Sequence, residues 1–261
     1  MKKVFCTLVI ACMAVSMWAK DMPKSGFGIQ IGWSQPIIRL NSPDPSMPKD
    51  SMVNTVKLNG FKVGLVYDVS YIAGFGSTIG LNYTFGINNS KWQSDNPAYN
   101  QYPKTRTVIN YHQLELLVDW QYKFEIAKET YLMLYTGPTL QYGMTFSMRV
   151  DKQDEDIITG KVTTTYGDRI NAYEASKIDD ELDPKHRAAN NELRRINITW
   201  GVGAGFQYKR YFLRGGYDFG LMNPYKHAQF VDAAGNSMDR NTRGRMDQWN
   251  IRLGVYLWYK D

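Results

Sequence analysis

Cysteine is almost absent from this chain. Its two cysteines, Cys6 and Cys12, both fall within the first twelve residues, so everything beyond them lacks the means for a disulfide, a thiolate nucleophile or a cysteine-based metal site. Histidine is nearly as scarce. His112, His186 and His227 are the only three, and no His-Glu-x-x-His or comparable ligand spacing joins them, so no metal and no cofactor is expected. Long apolar runs are missing too. A helical span needs about 20 consecutive apolar residues, and a mean hydropathy of -0.43 excludes a polytopic helical membrane protein. An ordinary charged fraction of 21% alongside 14% aromatics excludes wholesale disorder. The net charge is +6, from 31 Lys and Arg against 25 Asp and Glu, and no nucleic-acid partner is expected.

The one continuous apolar stretch is at the N-terminus. Lys2 and Lys3 precede an uncharged run from Val4 to Ala19, the pattern of a secretory signal, with an h-region too short to span a bilayer. Cleavage is expected after Ala19, with Ser16 as the competing site. This divides the chain into a signal peptide, 1–19, and a single domain, 20–261, and either cut removes both cysteines. Val9-Ile10-Ala11-Cys12 has the look of a lipoprotein box, but Met13 to Trp18 stays apolar where a lipoprotein turns polar.

What fills the rest of the chain is period-2 alternation. Trp249, Ile251, Leu253, Val255, Leu257 and Tyr259 alternate with Asn250, Arg252, Gly254, Tyr256, Trp258 and Lys260. Ile196 to Tyr208 repeats the pattern with Gly201, Gly203 and Gly205 on the polar parity, which favours strands over helices. Six further segments do the same, at Phe27–Trp33, Phe61–Tyr67, Ile79–Phe85, Leu114–Tyr122, Leu132–Phe146 and Tyr211–Leu221, giving eight expected strands. Connections alternate in length: roughly seven residues from Asp68, roughly eight from Lys123 and only Lys209-Arg210, against long segments at 41–54, 88–104, 147–193 and 222–248. Short turns on one rim and long loops on the other predict an all-β fold, an eight-stranded antiparallel up-and-down transmembrane barrel of the bacterial outer membrane, with 147–193 as a long third extracellular loop.

Side-chain parity sharpens the expectation. Trp33, Tyr67, Trp120, Tyr122, Tyr208, Tyr211, Trp249 and Tyr259 share the aliphatic face and are expected to form an aromatic belt, with Phe85, Phe146 and Phe219 also toward the long-loop rim. A soluble lipocalin-like barrel would instead carry charge on its outer face. On the opposite parity, Lys62, Arg214 and Arg252 face Glu115, Asp119 and Asp218, predicting an ionic cluster that fills the lumen, together with Tyr131, Tyr135, Tyr256 and Trp258. The alternating glycines at 201–205 lack the following helix of a nucleotide loop and are expected to make room for bulky lumen neighbours.

Gly60-Phe61-Lys62-Val63-Gly64-Leu65-Val66-Tyr67, Tyr111-His112-Gln113-Leu114-Glu115-Leu116, Gly137-Pro138, Gly201-Val202-Gly203-Ala204-Gly205-Phe206 and Tyr217-Asp218-Phe219-Gly220-Leu221-Met222-Asn223 occur in that order. In order and spacing the chain resembles the PorT-like outer-membrane β-barrel family of Bacteroidetes-type bacteria. The resemblance implies an eight-stranded barrel inserted by the barrel assembly machinery, and it permits a role in protein secretion. The chain departs from the family in ending Trp258-Tyr259-Lys260-Asp261 and in lacking a proline after Gln113-Leu114-Glu115-Leu116.

None of these residues forms a catalytic set. His112 on the apolar parity is the single feature favouring a lipid-modifying barrel enzyme, and no serine is tied to it by sequence. The third loop opens on the charge run Asp151–Asp156, expected to be solvated, and continues through helix formers between Ile170 and Arg195, expected to build a partly helical surface structure. Arg240, Arg243 and Arg245 are candidates to meet lipopolysaccharide phosphates. The expected function is therefore non-enzymatic: a barrel with a plugged lumen, structural or binding an extracellular or periplasmic partner through its loops, in contact with outer-membrane lipid and lipopolysaccharide. Secretion accessory, lipid A-modifying enzyme and small pore are the alternatives.

Overall fold

The alternating segments form eight antiparallel strands: β1 (Ser25–Asn41), β2 (Gly60–Ile72), β3 (Phe75–Asn89), β4 (Lys104–Ala127), β5 (Thr130–Glu155), β6 (Ile196–Tyr208), β7 (Tyr211–Gly220) and β8 (Arg243–Lys260). Each pairs with its neighbours in sequence, and β8 pairs with β1 through a register from Ser25↔Lys260 to Asn41↔Arg243, closing the sheet into a barrel without edges. The structure is a computed structural model, and it describes 25–41, 55–72, 74–94, 103–156, 158–173, 193–225, 228–231, 237–240 and 243–260. The signal peptide 1–19, the helix-forming stretch 174–192 with His186, and His227 lie outside the described residues.

At one rim only two residues separate consecutive strands, at 73–74, Lys128-Glu129 and Lys209-Arg210. The seven- and eight-residue turns expected from Asp68 and Lys123 are thus shorter than predicted, because β2 and β4 continue past both residues. Gly74 adopts φ 81, a conformation that a glycine takes without the steric penalty of a side chain. At the opposite rim β4 and β5, 24 and 26 residues long, far exceed the roughly 9–11 residues that cross a bilayer. They project as a paired ribbon, and the short strand Val162–Tyr166 folds back on β5 as a hairpin, pairing from Asp151↔Tyr166 to Glu155↔Val162. The run Asp151–Asp156 is therefore strand and turn, with Asp151 buried.

Two bulges reverse side-chain parity. Phe27 pairs with Trp258 but Gly28 pairs with Tyr256, leaving Leu257 as the extra residue of β8. Past it, Trp258 is exposed on the outer face and Tyr259 turns inward to pack on Tyr256 at 5.3 Å, the reverse of the expected belt and lumen positions of these two residues. In β5 the pairs His112↔Thr145 and Gln113↔Gly143 skip Met144. Phe146 is consequently buried at the outer end of the lumen and not exposed to lipid.

Candidate functional site

The lumen is where the buried chemistry converges. Lys62, Glu115, Asp119, Arg214, Asp218 and Arg252 are all buried there, and the extended strands add Asp68 and Lys123. Among the described residues this sets the four cations Lys62, Lys123, Arg214 and Arg252 against the four acids Asp68, Glu115, Asp119 and Asp218.

On the turn side, Asp68 is the hub. Lys123 Nζ donates to it at 2.8 Å and Arg214 Nη2 at 2.9 Å, with all three side chains at most 1% exposed. Thr78 and Tyr256 hydroxyls also donate to Asp68. Arg214 Nη2 reaches Gln121 Oε1 at 3.1 Å, and Lys123 reaches Gln207 at 3.0 Å. Val66, Met133, Phe212 and Tyr256 pack around this group, and Phe212 and Tyr256 rings lie 4.7 Å apart. A buried carboxylate with several charge-assisted donors is the arrangement in which an ion pair survives desolvation.

Midway, Arg252 approaches Asp119 at 3.7 Å and lies 5.4 Å from the centre of the Tyr135 ring. Gly203 admits that ring, since a Cβ there would collide with it, and one at Gly216 would lie 2.6 Å from the Tyr135 hydroxyl. At Gly201 an added Cβ would meet Asp218 Oδ1 at 2.6 Å. Asp218 accepts the Asn250 amide at 3.0 Å. Farther out, Lys62 pairs with Glu115 at 2.5 Å, and Glu115 Oε1 also accepts Thr84, Gln113 and Gln248. Ile38, Leu58, Tyr111, Phe146, Leu193 and Tyr225 form an apolar cluster toward the outer end, with Tyr173 packed against it.

The outer wall is a different environment. Trp33, Tyr67, Trp120, Tyr208, Tyr211 and Trp249 are exposed on it, and half-buried Tyr122 packs edge-on against Phe124 at 4.5 Å. The belt positions missed by sequence reasoning are Trp200, 5.9 Å from Trp120, and Tyr217, 4.7 Å from Trp249. His112 also faces outward, and its Nδ1 meets the Tyr83 hydroxyl at 2.5 Å. Arg245 sits on the wall, paired with Asp247 at 2.8 Å. Arg240 and Arg243 lie in strands whose side chains are outside the described set. At the hairpin tip, the N–H groups of Ile158 and Thr159, at 2.9 and 3.1 Å, hold the exposed Asp156 carboxyl below the usual carboxylate range.

The family described as outer membrane protein beta-barrel domain matches residues 24–225. Among solved structures, the chain is similar to Ail, the attachment invasion locus protein of Yersinia pestis, crystallised with the heparin analogue sucrose octasulfate. That match has 10% identity and a TM-score of 0.36, covering 89% of this chain and 99% of that one. It is also similar to Neisserial surface protein A, at 9% identity and a TM-score of 0.38, covering 90% of this chain and 100% of that one. The N-terminal barrel domain of Pseudomonas aeruginosa OprF matches at 8% identity and a TM-score of 0.24, covering 87% and 97%. No curated protein matches the chain.

Proposed function

The chain belongs to the outer membrane protein beta-barrel domain family and is an outer-membrane β-barrel protein, and from that premise we propose that it works at its outer end as a surface-binding barrel whose lumen is plugged. The observation that carries this reading is the ladder of buried side chains through the barrel interior, from Asp68–Lys123–Arg214 to Lys62–Glu115, with an apolar cluster above it. A conducting pathway is usually lined by rings of one charge, whereas these charges are of both signs and engage one another. The ribbon of β4 and β5, tipped by the hairpin of β5 and Val162–Tyr166, reaches well beyond the bilayer and presents Tyr166 and Ile158 to solvent. A binding role places function on that hairpin and leaves the barrel as its anchor.

The test uses the full mature protein in lipid nanodiscs against a panel of immobilised extracellular glycans and matrix proteins. The expected result is binding that disappears when 152–165 is replaced by a two-residue turn and persists in a folded lumen variant. Binding that follows the lumen variant and ignores the hairpin would overturn the reading. The PorT-like resemblance adds a secretion role, checked by comparing secreted proteins of strains with and without the gene. Among the described residues the hydrogen-bond partner of His112 is the Tyr83 hydroxyl, with no serine or carboxylate on the ring, and we read the protein as non-enzymatic. A change in lipid A acyl chains abolished by His112→Ala would reverse that.

A further inference from the structure

Asp247 has the parity of Trp249 and Ile251 on β8 and should point at lipid, yet it is fully buried. It is covered by two arginines, Arg39 Nε at 3.3 Å and Arg245 Nε at 2.8 Å, while the Tyr217 hydroxyl and the Gly220 N–H donate to it at 2.9 and 3.0 Å. Both arginine side chains remain 46% exposed. Arg39 and Arg245 are directly paired across β1 and β8, an arrangement in which like charges repel. One carboxylate beneath them leaves the group with a net positive charge.

The site stands on the aromatic girdle. Arg39 Nη2 reaches the Tyr217 hydroxyl at 3.3 Å, and the Tyr217 ring packs on Trp249 at 4.7 Å and Phe219 at 4.8 Å, both exposed on the lipid-facing wall. Aromatic rings of this kind mark the headgroup level of a membrane. Two half-exposed guanidiniums at that level, held side by side by a buried acid, have the donors and the charge to grip a phosphate.

We infer that Arg39 and Arg245 form a binding site for the phosphate of an outer-leaflet glycolipid of the lipid A type, with Asp247 as the positioning residue. The inference rests on the outer-membrane location and is independent of the plugged lumen. A second arginine-acid-arginine group supplies an internal control. Asp151 is equally buried between Arg106 at 2.9 Å and Arg149 at 3.0 Å, but these arginines are only 26% and 23% exposed. Trp92 and Tyr166 rings lie over them at 4.6 and 5.2 Å, on the projecting ribbon and away from the girdle.

The experiment is native mass spectrometry of the full mature protein in detergent, titrated with bisphosphorylated lipid A or with the same lipid after phosphatase treatment. The wild type should prefer the phosphorylated form by about tenfold, the effect of losing one hydrogen bond to a charged group. The triple variant R39Q/R245Q/D247N, which removes the arginines without stranding the acid, should lose the preference, and R106Q/R149Q/D151N should keep it. Arg245→Gln alone should reduce it several-fold, a second route should the triple variant fail to fold. A wild type that does not discriminate, or a folded triple variant that still does, would overturn the site. Displacement of lipid A by millimolar inorganic phosphate would overturn the lipid as its ligand.

Discussion

Asp68 and Asp247 are both fully buried, and each is held by two cations, yet they lie on opposite faces of the same wall. In the lumen, Lys123 and Arg214 are sealed with Asp68. On the outside, Arg39 and Arg245 stay nearly half exposed over Asp247. The sealed cations have no solvent to return to if their acid is lost, so their bonds serve the barrel. Those on the wall keep donors for something else, so the same side-chain types serve stability in one place and recognition in the other.

The comparison predicts unequal responses to substitution. Arg214→Ala takes one of the two buried cations from Asp68, leaving Lys123 alone against it in a dry interior, and should lower stability by about 3–5 kcal/mol, read by urea unfolding in lipid vesicles. Replacing the group together, as D68L/K123M/R214M, should be milder, because the buried acid is removed along with both of its cations. Loss as large as that of the single variant would mean the polar group is needed for more than neutrality. Packing around the lumen supplies a smaller effect. Gly203→Ala forces a Cβ into the Tyr135 ring and should lower stability by about 1–3 kcal/mol, partly restored by adding Tyr135→Val. Least affected should be Arg245→Gln. Its partner retains Arg39, Tyr217 and Gly220, and the exposed position should limit the change to about 1 kcal/mol or less in the same assay. A loss there matching Arg214→Ala would erase the distinction between the two faces.

The strand count, the short-turn rim and the inward parity of Lys62, Glu115, Asp119, Arg214, Asp218 and Arg252 are readable from period-2 alternation, since one face must meet lipid and the other the lumen. Asp68 and Lys123 escape that reading because charged residues beside a turn look like the turn itself. Gly74, able to make a two-residue connection at positive φ, is the signal that could have found them. Tyr259, Trp258 and Phe146 are misplaced for another reason. A bulge shifts parity by one, and in the apolar stretch around Leu257 nothing distinguishes an inserted residue from a regular one. Asp247 is hidden for a third reason, because it keeps the outward parity and its burial depends on Arg39 from the far end of the chain.

The proposed plug is tested most directly by conductance. Reconstituted into a planar bilayer, the wild-type protein should give no stable open level. D68N/K123Q/R214Q, which dismantles the turn-side ion pairs, should give brief openings at most, since Tyr135, Tyr256 and the outer apolar cluster still occupy the interior. Long-lived, uniform conductance steps from the folded wild type would contradict the plug and make the barrel a small channel.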